Sequence, residues 1–208
     1  MTIDSSDCCS DLCELGKKFF CDKSPYNTVA HRHPYTPVYA MLLSRYRYLP
    51  VRFAEIGVAY ASSMYMWRSF FLHVNTSIYG FDRDENFLQN LRNKNLPFVV
   101  AELMDVTQDE SIREGLEKIG GNLDVLLDDS IHGAPEQIKI IRNAIPYINP
   151  GGMIIIEDIH RNIPNEVFEK GLEDVLDKFS FVSFILTEHK DRWSPGWDND
   201  KLLVLIKK

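Results

Sequence analysis

The feature that most constrains the fold is an alternation of short apolar runs with segments of helical periodicity. The runs are nearly continuous in apolar residues, which is typical of strands buried on both faces of a parallel sheet. The predicted strands are residues 51–58, 77–82, 98–103, 123–129, 153–158, 181–188 and 201–208. The predicted helices are residues 61–71, 85–94, 111–120, 135–147 and 166–179. This alternation predicts an α/β fold with helices on both faces of a mostly parallel sheet.

The connection between the last two predicted strands breaks this alternation. Its sequence, HKDRWSPGWDND, is short and polar, so it cannot form a crossover helix. Strands joined in this way pair antiparallel. The sequence therefore predicts a seven-stranded sheet with an antiparallel last strand, in a main domain of residues 50–208. Residues 1–49 contain two further predicted helices, which we interpret as an N-terminal helical lid segment or an oligomer contact.

Composition and charge exclude several classes of function. The apolar runs are too short to span a membrane, and the polar, acidic first residues do not resemble a signal peptide. A formal charge of −7 argues against a general nucleic-acid surface. Cysteine occurs only at Cys8, Cys9, Cys13 and Cys21, where a disulfide framework could not staple the body of the chain. We expect reduced thiols in a cytoplasmic protein.

The first predicted strand leads into a turn of small residues. In open parallel sheets, ligands bind beyond the carboxyl ends of the strands. The stretch AEIGVAYASS places Glu55 before the small residues Gly57, Ala59 and Ala61, which would allow a ligand to approach the backbone. The stretch lacks the GxGxxG pattern of dinucleotide sites. A cofactor contact and a plain strand–helix turn both remain open on this motif alone.

Acids end the next two predicted strands. Asp82 could accept hydrogen bonds from both hydroxyls of a ribose, and the pair Met104–Asp105 could contact an adenine amino group. Each could also be a solvated loop residue. Together with the acids of the neighbouring strands they outline an adenosine site, and its negative charge suits the sulfonium and ammonium groups of S-adenosylmethionine.

Four carboxylates follow the fourth and fifth predicted strands. Asp128 and Asp129 end one strand, and Glu157 and Asp158 end its expected neighbour. Four clustered carboxylates repel one another unless a cation neutralises them. Oxygen ligands at this density are typical of Mg²⁺ or another hard divalent cation.

Two histidines lie close to these acids in the sequence. His132 could accept a proton from a substrate hydroxyl, because imidazole titrates near neutral pH. It could equally be a histidine that only hydrogen-bonds a carboxylate near the start of a helix. His160 could contact the substrate, with the same alternative.

The segments DDSIH and NPGGMIIIEDIH resemble the DDGSH … PGGxYxIEDxH pattern of metal-dependent sugar O-methyltransferases. That family includes macrolide deoxysugar methyltransferases, macrocin O-methyltransferases and cephalosporin hydroxylase-like proteins. The resemblance extends through LGKKFFCDKS, HPYTPVY, EIGVAYASSMYMW and IYGFDRD to DNDKLLVLIKK. It implies a Rossmann-like class I methyltransferase fold.

The resemblance also implies roles for individual residues. It assigns Mg²⁺ to Asp129, Glu157 and Asp158, and the general base to His132. The expected S-adenosylmethionine contacts are Glu55, Gly57, Ala59, Ser63, Asp82, Met104, Asp105 and Asp128. Candidate substrate contacts are Tyr35, His160 and Trp193. The chain departs from the pattern at Ser130–Ile131, where the family has Gly-Ser, which changes the expected wall of the acceptor site.

The function expected from these features is the Mg²⁺-dependent transfer of a methyl group from S-adenosylmethionine to a sugar hydroxyl, on a deoxysugar or a glycan such as rhamnose. One alternative is a metal-dependent O-methyltransferase of a phenolic natural product. Another is a non-catalytic nucleotide-binding subunit. The expected partner is a small-molecule or glycan acceptor, with no nucleic acid and no membrane span, and a homo-oligomer remains open.

Overall fold

A computed structural model describes all residues, 1–208, and contains one eight-stranded sheet. The strands are β1 (Thr2–Asp4), β2 (Arg52–Ile56), β3 (Ser77–Asp82), β4 (Val99–Leu103), β5 (Leu123–Asp128), β6 (Ile148–Ile156), β7 (Phe179–Glu188) and β8 (Lys201–Lys207). Their order across the sheet is β1-β7-β8-β6-β5-β2-β3-β4. β8 runs antiparallel to both of its neighbours, β6 and β7, and every other pair is parallel. The predicted fold class and antiparallel last strand are confirmed.

The sheet has one strand more than the seven predicted. β1 pairs in parallel with the edge of β7, where Thr2 lies opposite Leu186 and Asp4 opposite Glu188. The prediction missed β1 because three residues, two of them exposed, carry no hydrophobic pattern. Backbone hydrogen bonds to an open sheet edge are sufficient to define such a strand.

The helices are α1 (Asp11–Lys18), α2 (Tyr35–Leu43), α3 (Ser62–Phe70), α4 (Glu85–Asn93), α5 (Asp109–Lys118), α6 (Ala134–Ala144) and α7 (Asn165–Gly171). Short 3-10 turns follow at Ser44–Tyr46, Ile145–Tyr147 and Leu176–Lys178. Two predicted boundaries were wrong. The helix predicted over 166–179 ends at Gly171, and the strand predicted over 153–158 begins earlier, at Ile148. The register between β5 and β6 is irregular in this added part, because Leu123 pairs with Ile148 but Val125 pairs with Met153.

Hydrophobic clusters cover both faces of the sheet. Neighbouring residues of β2 illustrate the division, because Phe53 belongs to one cluster and Ala54 to the other. Alternate residues of a strand point to opposite faces. Residues 1–49 contribute to the cluster that contains Phe53, since Leu12, Tyr35 and Tyr39 are buried in it. None of the helices is long and apolar enough to cross a membrane.

Candidate functional site

The turn after β2 approaches the end of β5 very closely. Gly57 has φ +94°, and a Cβ atom at this position would collide with the backbone carbonyl of Asp129. The Gly57 N–H also donates to the Phe81 carbonyl at 2.7 Å. Glycine is therefore required both for the left-handed conformation and for the close approach.

Asp82 fixes the same turn from the end of β3. One carboxylate oxygen accepts hydrogen bonds from the Val58 and Ala59 N–H groups, at 3.2 and 3.1 Å. The other oxygen accepts from the Asp84 N–H at 3.0 Å. The acid predicted to contact a ribose is thus aligned by backbone donors at the edge of the sheet.

A cavity of about 330 Å³ opens at this edge. Its lining consists of Asp22, Ile56, Gly57, Ala59, Asp82, Arg83, Met104, Val106, Asp129, Ser130, Ile131 and His132. Ser63 lies instead on a neighbouring cavity of about 160 Å³. The two cavities share Asp22, Gly57, Ala59 and Asp129. Five of the predicted cofactor residues, Gly57, Ala59, Ser63, Asp82 and Met104, therefore line these two adjoining cavities, and the larger cavity has a size typical of ligand sites.

The other three predicted cofactor residues do not line these cavities. Glu55 is fully buried and accepts a hydrogen bond from the Trp67 indole at 2.8 Å. Asp105 accepts from the Thr107 N–H and hydroxyl, at 2.9 and 2.8 Å. Asp128 accepts from the Ser130 hydroxyl at 2.5 Å, while its Oδ2 is buried without a hydrogen-bond partner. Burial raises the pKa of Asp128 to about 7.

Lys23 lies at the centre of one group of acids. Its ammonium group forms ion pairs with Asp129 and Glu157 and lies 3.2 Å from Glu55 Oε1. Only 2% of Lys23 is exposed. Burial alone would lower the lysine pKa, but the surrounding carboxylates raise the pKa of Lys23 well above its usual value. The second oxygen of Glu157 accepts a hydrogen bond from the Tyr39 hydroxyl.

A second group contains Asp129, His132 and Asp158, whose ligand atoms all lie within 4.8 Å of one another. His132 Nε2 is 3.5 Å from Asp158 Oδ2, and His132 Nδ1 is buried without a hydrogen-bond partner. Asp158 has φ +58°, and its Oδ1 accepts from the Tyr35 hydroxyl at 2.6 Å. The three predicted metal ligands are thus divided: Asp129 belongs to both groups, Glu157 faces Lys23, and Asp158 faces His132.

A second histidine, His33, lies close to Asp158. His33 Nδ1 lies 2.8 Å from Asp200 and 3.8 Å from Asp158, and its ring stacks on Tyr35 with centroids 5.2 Å apart. Burial disfavours the charged imidazolium, but the hydrogen bond to Asp200 and the nearby Asp158 outweigh it and raise the pKa of His33 to about 9. A positively charged His33 therefore lies next to Asp158 and Asp200 at neutral pH.

The predicted substrate contacts are dispersed. Tyr35 is buried against Asp158. His160 stacks on Trp197, with ring centroids 5.6 Å apart and an interplanar angle of 19°. Trp193 packs near Arg32 and lines a separate cavity of about 410 Å³. Trp197, which was not among the predicted contacts, lies edge-on to His132 at 6.2 Å.

The sheet order and the ligand cavity at the carboxyl edge define a class I methyltransferase fold. A sequence model of the methyltransferase domain matches residues 54–159, about half of the chain, and the protein belongs to that family. The mycinamicin methyltransferase MycE, solved with Mg and SAH, superposes with a TM-score of 0.68 at 23% identity. That superposition covers 95% of this chain and 55% of MycE.

Two curated relatives are sugar methyltransferases. Mycinamicin VI 2''-O-methyltransferase of Micromonospora griseorubida is 29% identical over 160 residues, which is 72% of this chain and 36% of the relative. The 8-demethyl-8-alpha-L-rhamnosyl tetracenomycin-C 2'-O-methyltransferase of Streptomyces olivaceus is 27% identical over 134 residues, or 61% of this chain and 33% of the relative. The chain thus spans about a third of the length of the curated relatives it matches.

Proposed function

We propose that this protein transfers a methyl group from S-adenosylmethionine to a sugar hydroxyl with the help of a divalent cation. The observation that carries the proposal is that the predicted cofactor residues and the predicted base line one cavity at the carboxyl edge of the sheet. Asp129 and His132 line the same cavity as Gly57, Asp82 and Met104. An acid–histidine group suited to deprotonating a hydroxyl therefore borders the proposed cofactor site. The names of the two curated relatives support a sugar acceptor.

The cavity is suited to a positively charged adenosine ligand. Asp82 and Met104 line it beside Gly57 and Ala59, and Ser63 borders the adjoining cavity. In this proposal these residues contact the cofactor directly. Glu55, Asp105 and Asp128 act through charge and through the turns they hold, because their hydrogen bonds lie within the protein.

The donor set fits a hard divalent cation. Asp129 and Asp158 present carboxylate oxygens within 4.8 Å, the spacing that one ion can bridge. Glu157 belongs to the proposed ligand set but is engaged by Lys23 and Tyr39, so it would ligate only after exchanging the lysine contact. A bound Mg²⁺ would act as a Lewis acid and lower the pKa of the acceptor hydroxyl. Asp129 and Asp158 would also fix the position of that hydroxyl.

His132 is assigned to proton transfer rather than to metal binding, because Mg²⁺ prefers oxygen ligands. Nδ1 is buried, so Nε2 is the ring nitrogen that an acceptor hydroxyl could reach. In this proposal Nε2 accepts the hydroxyl proton, and Asp158 Oδ2, 3.5 Å away, stabilises the resulting imidazolium. The resulting alkoxide would attack the methyl carbon in line with the sulfonium, so that the O–C bond forms as the C–S bond breaks and S-adenosylhomocysteine leaves.

Calorimetry with S-adenosylhomocysteine in the presence of Mg²⁺ tests the cofactor assignment, with NAD as the comparison. We expect a micromolar dissociation constant, about −8 kcal/mol, for S-adenosylhomocysteine and no binding of NAD. Asp82→Ala should weaken binding by roughly 1.5–3 kcal/mol, because charge-assisted hydrogen bonds that order the turn are lost. Binding of NAD instead would overturn the proposal.

The acceptor class is tested separately with methyl-labelled S-adenosylmethionine. Methyl α-L-rhamnopyranoside and catechol are offered as acceptors under identical conditions. Label in the rhamnoside supports the sugar assignment. Label only in catechol would favour the phenolic alternative, and label in neither would count against O-methyl transfer by this chain.

A further inference from the structure

Trp197 is an exposed aromatic residue that lies beside His132, the proposed base. It is 47% exposed, although it stacks on His160 and lies edge-on to His132. A large, exposed aromatic ring beside His132 is available for contact with a ligand. Nothing in the proposed methyl-transfer chemistry uses it.

The loop that carries Trp197 is held against the site at several points. The Trp197 N–H donates to the Ser194 carbonyl at 3.0 Å, and the Arg161 N–H donates to the Asp198 carbonyl at 2.8 Å. The oxygen of the Tyr35 hydroxyl, which donates to Asp158, lies 3.0 Å from the Asn199 carbonyl. The backbone that follows Trp197 is therefore anchored next to the acids.

We propose that Trp197, backed by His160, is the platform on which the acceptor's pyranose ring stacks. The inference rests on the proposed function and deepens it by naming a contact for the acceptor. Sugar rings present C–H groups on one face, and these pack on indole while the hydroxyls at the ring edge stay free for polar partners. The 6.2 Å separation between the ring centroids of Trp197 and His132 brings a stacked ring within reach of the base.

The same loop contains a matched control. Trp193 is 48% exposed, nearly the same as Trp197, but it packs near Arg32 and lines a different cavity. The proposal therefore reassigns to Trp197 the acceptor contact that the sequence predicted for Trp193. A general effect of losing a surface tryptophan would appear in both variants. An effect on acceptor binding should appear only at Trp197.

The test uses the three indole N–H signals of the protein, from Trp67, Trp193 and Trp197, in nuclear magnetic resonance spectra. Methyl α-L-rhamnopyranoside is titrated into the full chain saturated with S-adenosylhomocysteine and Mg²⁺. The Trp197 signal should shift with saturation, while the signals of Trp193 and of Trp67, which donates to buried Glu55, should not.

Substitution then measures the contribution of the indole. Trp197→Ala should weaken rhamnoside binding on the order of tenfold, Trp197→Phe should retain most of it, and Trp193→Ala should leave it unchanged. S-adenosylhomocysteine affinity should be the same in all three variants. An unshifted Trp197 signal, or equal losses in Trp197→Ala and Trp193→Ala, would overturn the platform while leaving the proposed function intact. A chain that fails to bind S-adenosylhomocysteine would remove both.

Discussion

Lys23 illustrates how one residue can set the charge balance of a site. It is buried among Glu55, Asp129 and Glu157, so a single ammonium group offsets part of the repulsion between three carboxylates. Buried carboxylates are costly without such a partner. Lys23 also links the region before β2 to the ends of β5 and β6. It thereby holds Asp129, the residue that both acid groups share.

Replacing this lysine should destabilise the fold. Lys23→Met leaves the buried carboxylates without their counter-charge, and we expect a loss of about 3–5 kcal/mol in the free energy of unfolding. Chemical denaturation in EDTA provides the measurement. Lys17→Met, at an exposed lysine of the same region, is the control and should change stability by less than about 0.5 kcal/mol.

A second substitution separates the effect of charge balance on stability from the effect of side-chain packing. Adding Glu157→Gln to Lys23→Met removes one of the uncompensated charges and should recover part of the lost stability. If Lys23→Met proves no more harmful than Lys17→Met, or the double variant is the least stable of all, Lys23 does not neutralise these acids.

At the scale of elements, the turn between β2 and α3 brings the predicted cofactor residues close to the acids at the end of β5. Gly57 permits this turn to contact the backbone of Asp129, while Asp82 orders it from β3. A side chain at Gly57 would have to displace backbone at the end of β5. The geometry of the cavity therefore depends on the absence of a Cβ atom there.

Gly57→Ala should cost more than backbone strain alone. Gly151, in β6, also has positive φ, at +75°, but a Cβ atom there would meet nothing within 4 Å. Gly151→Ala should cost about 1 kcal/mol from strain. Gly57→Ala should cost at least about 2 kcal/mol more, because the end of β5 must move, and it should also weaken S-adenosylhomocysteine binding. Equal unfolding free energies for the two variants would contradict the close approach.

Most of the strands, and the meeting of the acids that follow them, were predictable from the sequence. Apolar runs located β2 to β8, and because parallel strands end at one edge, the acids that follow them were expected to meet. The Lys23 contacts could not be predicted, because Asp129 lies 106 positions and Glu157 lies 134 positions after Lys23 in the sequence. No periodicity of the sequence indicates such a pairing. Trp193 and Trp197 are identical side chains in one irregular loop, so the residue type alone could not show which of them lies beside His132. That depends on the conformation of the loop. Lys23 and His33 share only one sequence signal, their position within segments that resemble the family.

At the scale of the whole molecule, contacts near the site join the two ends of the chain. His33 bonds Asp200, 167 residues away, and Asp200 also accepts from Arg192 at 2.6 Å. Residues 1–49, proposed as a lid, contribute Lys23, Tyr35 and Tyr39 to the acids of the site. We expect this region to complete the site, whether or not it also moves as a lid.

The His33 contact should give folding stability a defined dependence on pH. Its pKa is about 9 in the folded protein, above the value of about 6.5 expected when unfolded. The charged histidine therefore contributes its full stabilisation, about 3 kcal/mol, below pH 6.5, and the contribution disappears as pH rises through 9.

Denaturation of wild type and His33→Gln in EDTA, at intervals between pH 6 and pH 10, measures this contribution. The advantage of the wild type should shrink across that range. His73→Gln serves as the control for loss of a histidine, because the His73 ring accepts a hydrogen bond from the Asn75 N–H and forms no ion pair with a carboxylate. A constant difference for His33→Gln would mean that the histidine is not held charged by Asp200 and Asp158.

The rate of methyl transfer with and without metal tests the central claim most directly. Labelled methyl transfer from S-adenosylmethionine to methyl α-L-rhamnopyranoside is followed after metal removal with EDTA and again after addition of Mg²⁺, for wild type and for His132→Asn. The wild type should be inactive without metal and recover with Mg²⁺. His132→Asn should bind S-adenosylhomocysteine normally yet transfer methyl about 10²–10⁴ times more slowly, the usual contribution of a positioned base. A full wild-type rate after complete metal removal would contradict the metal-dependent mechanism, and an unimpaired His132→Asn would remove His132 as the base.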